Sequence, residues 1–353
     1  MINKEKINID WINSVSKANN GADKILIEKV IRALLLLEGL VVAGIPFVFK
    51  GGTSLMLHFN SSKRLSIDID VIISENTDTL EDKLQIIAKQ QGFDRIELQE
   101  RKKRIKIEKA HYKFFYAPVH KTAKDEEFVL LDILFEQPNY TRMVELPISS
   151  AFVPNEGEAI SVKVPTLEDL LGDKLTAFAP NTTGIPYFKG DDSMSMEIIK
   201  QLYDIGNLFD ASSDLATVKN TFKKFADTEL AYRETSDKTP ADVLEDIFQT
   251  SLCICSRGVM GDGNFDELQQ GIRRISGFIF SETYHIEKAI VSASKSAYLS
   301  ALIKNDKVEI EKFENPLQVK DWSIENPDYN KLNKLKKSNP EAFFYWVKTL
   351  QLR

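Results

Sequence analysis

Asp68 and Asp70 are the residues of this chain best spaced to do chemistry together. They stand in Ile67-Asp68-Ile69-Asp70-Val71-Ile72-Ile73, where β-branched residues predict a strand. Residues two apart on a strand project from one face. The two carboxylates therefore share a face, while Ile67, Ile69, Val71 and Ile73 line the other. Paired carboxylates suit one or two Mg²⁺ ions, which take oxygen ligands and triphosphate oxygens. The alternative is an ordinary strand face with two solvated acids. Against it, strands are poor in Asp, and like charges on one face repel unless a cation lies between them.

Upstream lies Lys50-Gly51-Gly52-Thr53-Ser54. A strand ending in Gly-Gly lets the backbone approach a ligand closely. Thr53 or Ser54 is expected to cap the helix that follows, whose free N–H groups and positive dipole end favour a phosphate. Taken alone, Gly-Gly before a helix is more often plain turn chemistry. Arg64 offers either a planar fork for a phosphate or a loop arginine in contact with solvent, and Ser66 sits beside it at the mouth of the strand. Asp132, in Val129-Leu130-Leu131-Asp132-Ile133-Leu134-Phe135, is a third acid. In so apolar a strand a carboxylate is costly unless paired or metal-bound. Beside Asp68 and Asp70 it would ligand the metal or accept a hydroxyl proton; otherwise it forms a structural ion pair.

These residues need a scaffold, and the pattern supplies one. Ile25, Ile27, Val30, Ile31, Leu34 and Leu35 predict a helix over 23–40, ended by Gly44 and Pro46. Strands are expected at 47–49, 67–73, 104–108, 112–116 and 128–135, and helices at 53–59 and 80–91. Beyond Pro165 the pattern is helical, at 167–178, 196–209, 215–232, 241–255, 265–280, 286–303 and 340–350. The expected domains are 1–165, 166–310 and a helical tail over 311–353.

A strand, Gly-Gly-Thr-Ser, a short helix, Asp-x-Asp and a later strand Asp resemble the nucleotidyltransferase superfamily of the polymerase-beta type. More narrowly, Lys50-Gly51-Gly52-Thr53-Ser54-Leu55 followed by Arg64-Leu65-Ser66-Ile67-Asp68-Ile69-Asp70 is similar to the AbiEii/AbiGii toxin family, over about residues 30 to 210. The resemblance implies an α/β (α+β) nucleotidyltransferase-fold domain with a mixed sheet, followed by an α-helical domain. It implies a toxin of a toxin–antitoxin or abortive-infection system, with a cognate antitoxin encoded nearby. The reaction would transfer a nucleotide from an NTP with Mg²⁺ as cofactor, tRNA acceptor ends being the target in some relatives. Lys50, Gly51, Gly52, Thr53, Ser54, Arg64 and Ser66 would hold the nucleotide, and Asp68, Asp70 and Asp132 the metal. The resemblance also singles out Lys174, in Leu170-Leu171-Gly172-Asp173-Lys174-Leu175, to neutralise triphosphate charge, and Asp204, in Gln201-Leu202-Tyr203-Asp204-Ile205, to hold Lys174 or the nucleotide. Taken alone, both read as surface residues. The chain departs from the family where basic residues often precede that second Asp. Only Lys200 is close by, and Asp191 and Asp192 lie well upstream.

The bulk composition narrows the class. A chain of 353 residues suggests two or three domains, and 43% hydrophobic with 28% charged residues is ordinary for a globular protein. A formal net charge of −6 excludes a general nucleic-acid coater. Any RNA contact must be local, first at Arg101-Lys102-Lys103-Arg104 with Lys106, then at Lys331, Lys334, Lys336 and Lys337; solvated edges are the alternative. The same acidity favours a rival reading, an enzyme of this fold that modifies a small cationic molecule such as an aminoglycoside, or a protein hydroxyl. A non-catalytic nucleotide- or RNA-binding protein of the same fold is a third. Cys253 and Cys255 read as buried thiols with no partner pair for zinc. The histidines, His58, His111, His120 and His285, show no metal spacing and receive no role. The longest apolar stretch, 33–49, is broken by Glu38, Gly44 and Pro46 and falls short of the ~20 residues of a membrane span. The first residues lack the apolar core of a signal peptide, so a cytoplasmic protein with no membrane partner is expected.

Overall fold

The computed structural model describes residues 1–59, 63–76, 78–99, 108–120, 125–233 and 237–353. They form two compact units: Met1–Thr166 with Gly277–Thr283, and Leu167–Ser276 with Tyr284–Arg353. Among the described residues, no helix is long and apolar enough to cross a membrane.

The first unit opens with α1 (Ile9–Ala18) and α2 (Lys24–Val42), followed by β1 (Val48–Lys50), α3 (Gly51–His58), β2 (Ile69–Ile73), α4 (Leu80–Gln91), β3 (Arg95–Leu98), β4 (Glu108–Tyr116), β5 (Glu127–Phe135), β6 (Met143–Pro147) and β7 (Ser161–Pro165). Five strands make one mixed sheet in the order β1-β2-β5-β4-β3. The pair β2–β5 is parallel, and β1–β2, β4–β5 and β3–β4 are antiparallel. The strands β6 and β7 form a separate antiparallel pair.

Period-two alternation divides the sheet's faces. Ile69, Val71 and Ile73 of β2, Val129, Leu131 and Ile133 of β5, and Tyr112, Phe114 and Tyr116 of β4 join the core with the apolar side of α2. α2 starts where the Asp23 side chain accepts the Leu26 N–H, and its apolar positions run almost unbroken to Leu40. It also buries two acids, each satisfied by backbone donors: Glu38 accepts the Ile2 N–H at 2.9 Å, and Glu28 accepts the Val119 N–H at 2.9 Å. Glu38 therefore marks where the N-terminal segment is tied down, not a break in the helix.

Several expectations change. The strand expected at 112–116 begins earlier, at Glu108, and the strand expected at 104–108 lies, but for Glu108, outside the described residues. β3, β6, β7 and α1 were not expected, because their short or weakly alternating runs carry little pattern.

In the second unit, α5 (Leu167–Ala177), α6 (Ser195–Ala211), α7 (Leu215–Tyr232), α8 (Pro240–Cys255), α9 (Phe265–Arg274), α10 (Ile286–Lys304), α11 (Leu335–Ser338) and α12 (Pro340–Gln351) follow one another, with a small ribbon of β8 (Phe188–Lys189) and β9 (Asp192–Ser193) before α6. α10 is buried nearly all round, its serines included, and packs against α6, α8 and α12. The helix expected over 265–280 stops at Arg274 and tightens into a 3-10 turn over Ile275–Phe278. Cys253 and Cys255 are buried, and burial pushes their thiols up to about 11 and about 12. Both stay protonated, as fits core residues.

α5 meets α7 through Gly172. A Cβ there would lie 2.7 Å from the Val218 carbonyl oxygen and 2.8 Å from the Phe222 nitrogen. Gly172→Ala should destabilise the protein by about 1–3 kcal/mol, the cost of overpacking, read as a lower urea midpoint. An unchanged midpoint would mean that the two helices separate freely.

Candidate active site

The site grows from the register of one sheet. Asp70 on β2 lies opposite Lys50 on β1 and opposite Asp132 on β5, and Asp132 lies opposite His111 on β4. Register partners share a face, so Lys50, Asp70, Asp132 and His111 form a row across four strands. The row is on the face turned away from α2, because its neighbours along each strand, Phe49, Ile69, Leu131 and Tyr112, are core residues. Asp132 keeps about a third of its side chain exposed (32%). The apolar look of 129–135 thus conceals an alternation, and Asp132 does not suffer the deep burial its neighbours suggest.

α3 begins at Gly51, directly after Lys50, and no side chain caps it. Thr53 and Ser54 are inside the helix and fully buried. The Thr53 hydroxyl donates to the Asp68 carbonyl at 2.6 Å and the Ser54 hydroxyl to the Gly51 carbonyl at 2.8 Å. The expected cap is therefore absent: both hydroxyls bind backbone, and the first-turn N–H groups have no side-chain acceptor at the N-cap. Gly51 has φ +78°, a conformation glycine tolerates best, and a Cβ on it would meet Asp70 Oδ2 at 2.1 Å. A Cβ on Gly52 would meet Arg64 Nη2 at 2.6 Å and Ser66 Oγ at 2.7 Å. Each glycine is thus required by a different neighbour.

Arg64 is buried, with Nη1 donating to the Leu65 carbonyl at 3.1 Å, and the Leu65 N–H donates to the Phe278 carbonyl at 2.8 Å. The solvent-facing loop arginine is overturned: the guanidinium is packed behind the glycine turn. Asp68 precedes β2, half-buried, its carbonyl held by Thr53. Lys50 Nζ lies 5.9 Å from the centre of the Tyr140 ring.

His111, given no role from the sequence, is the residue that motif reading missed. Its Nδ1 is 2.5 Å from Asp132 Oδ1. Only strand pairing reveals this, since the two are 21 positions apart and carry no shared motif. His58 Nε2 meets the Pro165 carbonyl at 2.8 Å and His285 caps α10.

Lys174 and Asp204 belong to the second unit, where α5 and α6 bring them together. Lys174 Nζ is 2.7 Å from Asp204 Oδ2 and 3.1 Å from Gln201 Oε1. Both are buried, at 5% and 3% exposed, so neither is the surface residue its local sequence suggests. Lys200 lies 3.8 Å from Glu197. The basic run 101–106 lies outside the described residues. Lys331, Lys334 and Lys337 are exposed, and Lys336 donates to the Trp322 carbonyl at 2.8 Å.

The family model described as nucleotidyl transferase AbiEii toxin, type IV TA system, matches residues 35–296. No curated protein matches the sequence significantly. Among solved structures, JHP933 from Helicobacter pylori is similar over 81% of this chain and 94% of its own, at 15% identity and a TM-score of 0.43. A candidate nucleotidyltransferase from H. pylori is similar over 79% of this chain and 94% of its own, at 17% identity and a TM-score of 0.42.

The Lys174–Asp204 pair makes a stability prediction. Lys174→Ala leaves Asp204 buried without its lysine and should cost about 3–5 kcal/mol. Lys174→Met combined with Asp204→Leu should recover most of that in urea denaturation. A single variant as stable as the wild type would show that the pair contributes nothing to the fold.

Proposed function

Because the chain belongs to the AbiEii nucleotidyltransferase toxin family, we propose that it transfers a nucleotide from an NTP to an RNA acceptor, tRNA first, in a Mg²⁺-dependent reaction countered by an antitoxin. The observation that carries this reading is the row Lys50–Asp70–Asp132, with Asp70 leaning on Gly51 at the uncapped start of α3.

The residues present suit Mg²⁺. Among the described residues, no three His, Cys, Asp or Glu side chains are grouped to hold an ion by themselves. Mg²⁺ bound by one or two carboxylates, waters and the substrate's own phosphates needs no such cage. Asp70 and Asp68 would hold it, and when bound it would offset charge on the phosphates.

The chain's own groups do the rest. The N–H groups of the first turn of α3 bind phosphate oxygens, assisted by the helix dipole. Lys50 adds a positive charge at the end of β1, and Arg64 another behind Gly52. Asp132 accepts the proton of the acceptor hydroxyl as its oxygen forms a bond to the α-phosphorus. The bond from that phosphorus to the leaving oxygen breaks, and pyrophosphate departs. Positioning and charge stabilisation supply most of the rate. Lys174, with Asp204, is assigned to triphosphate charge on the strength of the family resemblance.

The decisive experiment incubates the protein with each labelled NTP, Mg²⁺ and total RNA or protein extract. Label in tRNA is the expected outcome; label only in protein or a small cationic molecule would favour the rival suggested by the net charge of −6. Asp70→Asn should reduce transfer at least about 100-fold, as loss of a preorganised charge partner does, while the variant unfolds at the wild-type temperature. Near wild-type turnover would remove the carboxylate site. Induced expression should slow growth, and Asp68→Asn should abolish that effect. Arrest by the variant equal to wild type would separate toxicity from this site.

A further inference from the structure

Two carboxylates in neighbouring register repel, and in this sheet they are drawn to opposite sides. Asp70 leans toward β1, its Oδ2 occupying the space a Gly51 side chain would need. Asp132 is held from the other side: His111, its register partner on β4, places Nδ1 2.5 Å from Asp132 Oδ1. The strand order β1-β2-β5-β4 puts His111 on the flank of Asp132 away from Asp70.

We propose that His111 is a positioning residue for nucleotide transfer, fixing Asp132 through Nδ1–H so that the carboxylate's second oxygen meets the acceptor hydroxyl. The inference rests on the reading of Asp132 as proton acceptor. First, a short carboxylate with a third of its surface exposed turns between rotamers unless a donor holds it. Second, the donor is itself held: His111 is mostly covered, at 12% exposed, and its carbonyl accepts the Gln99 N–H at 2.7 Å. Third, a hydrogen bond donated from Nδ1–H to Oδ1 fixes the orientation of ring and carboxylate together. With Oδ1 committed to His111, Oδ2 remains for the proton. The arrangement divides the labour of the row: Asp70 serves the glycine turn and Asp132 the acceptor.

The test uses the full chain with Mg²⁺, each α-labelled NTP, and total RNA and protein extract, reading label in any macromolecule against NTP concentration. His111→Phe keeps a ring but loses the donor. Its maximal rate should fall about 10- to 100-fold, as loss of such supporting hydrogen bonds does, with the apparent KM for NTP unchanged. His111→Asn carries an amide N–H near the place of Nδ1 and should recover most of the rate lost in His111→Phe. Thermal unfolding and NTP binding of both variants should match the wild type. Equal losses in the two variants, no loss in either, or a change in KM alone would overturn the inference. Asp132→Asn separates it from its premise. If that variant keeps wild-type turnover, Asp132 is not the acceptor and both fall; if it is inactive while His111→Phe is fully active, only the role of His111 falls. A wild type that labels nothing removes both.

Discussion

The constraint on which the first unit depends is electrostatic: the sheet places Asp70 and Asp132 side by side on parallel strands. Adjacent strands are about 4.8 Å apart, and at an effective dielectric near 20 two carboxylates at that spacing repel by about 3 kcal/mol before solvent screening. The row answers with positive or donor groups at both ends, Lys50 on one flank and His111 on the other. The face beneath carries the hydrophobic term that holds the strands in this register. A slip of one residue on β2 would send Asp70 into the core and Ile69 and Val71 out of it. The core therefore fixes the spacing of the charges.

The glycine turn shows the same dependence of chemistry on packing. Gly51 is required by Asp70 and Gly52 by Arg64 and Ser66, so three side chains from the same downstream segment fold back onto two adjacent positions. Thr53 adds a further tie, to the Asp68 carbonyl. The spacing between the Gly-Gly and Asp-x-Asp motifs is thus enforced by direct contact. A side chain at either glycine would push on the residues that carry the negative and positive charge of the site.

Buried ions in both units follow one rule. Glu28 and Glu38 in α2 accept backbone N–H groups, and Lys174 is paired with Asp204. A buried charge is tolerated when its partners are fixed by rigid elements. In the helical unit the pair sits between α5 and α6, and Gly172 on α5 lets α7 approach closely. One helix thus presents a charge to one neighbour and a bare backbone to another.

Elements with a strong local pattern were legible in the chain before folding. α2, α4 and the helices from α5 to α8 stand where apolar periodicity put them, and β2 and β5 where β-branched runs did, each to within two residues. The Gly-Gly and Asp-x-Asp motifs, and with them the family, were legible because their chemistry lies within twenty consecutive residues. Strand order and pairing were not. Asp132 was expected near Asp68 and Asp70 only on condition that its strand was adjacent, and the partnership of His111 with Asp132 left no local trace. Lys174 and Asp204 read locally as surface residues, and Arg64 as either a phosphate fork or a solvated loop arginine; all three are buried, since burial depends on what distant segments pack over them. The caps expected of Thr53 and Ser54 failed for the same reason: α3 starts two residues earlier, where Gly51 can turn against Asp70. Local sequence decides which faces are apolar and where the chain can turn. Which charges become neighbours is decided only when the sheet's register is set by the core as a whole.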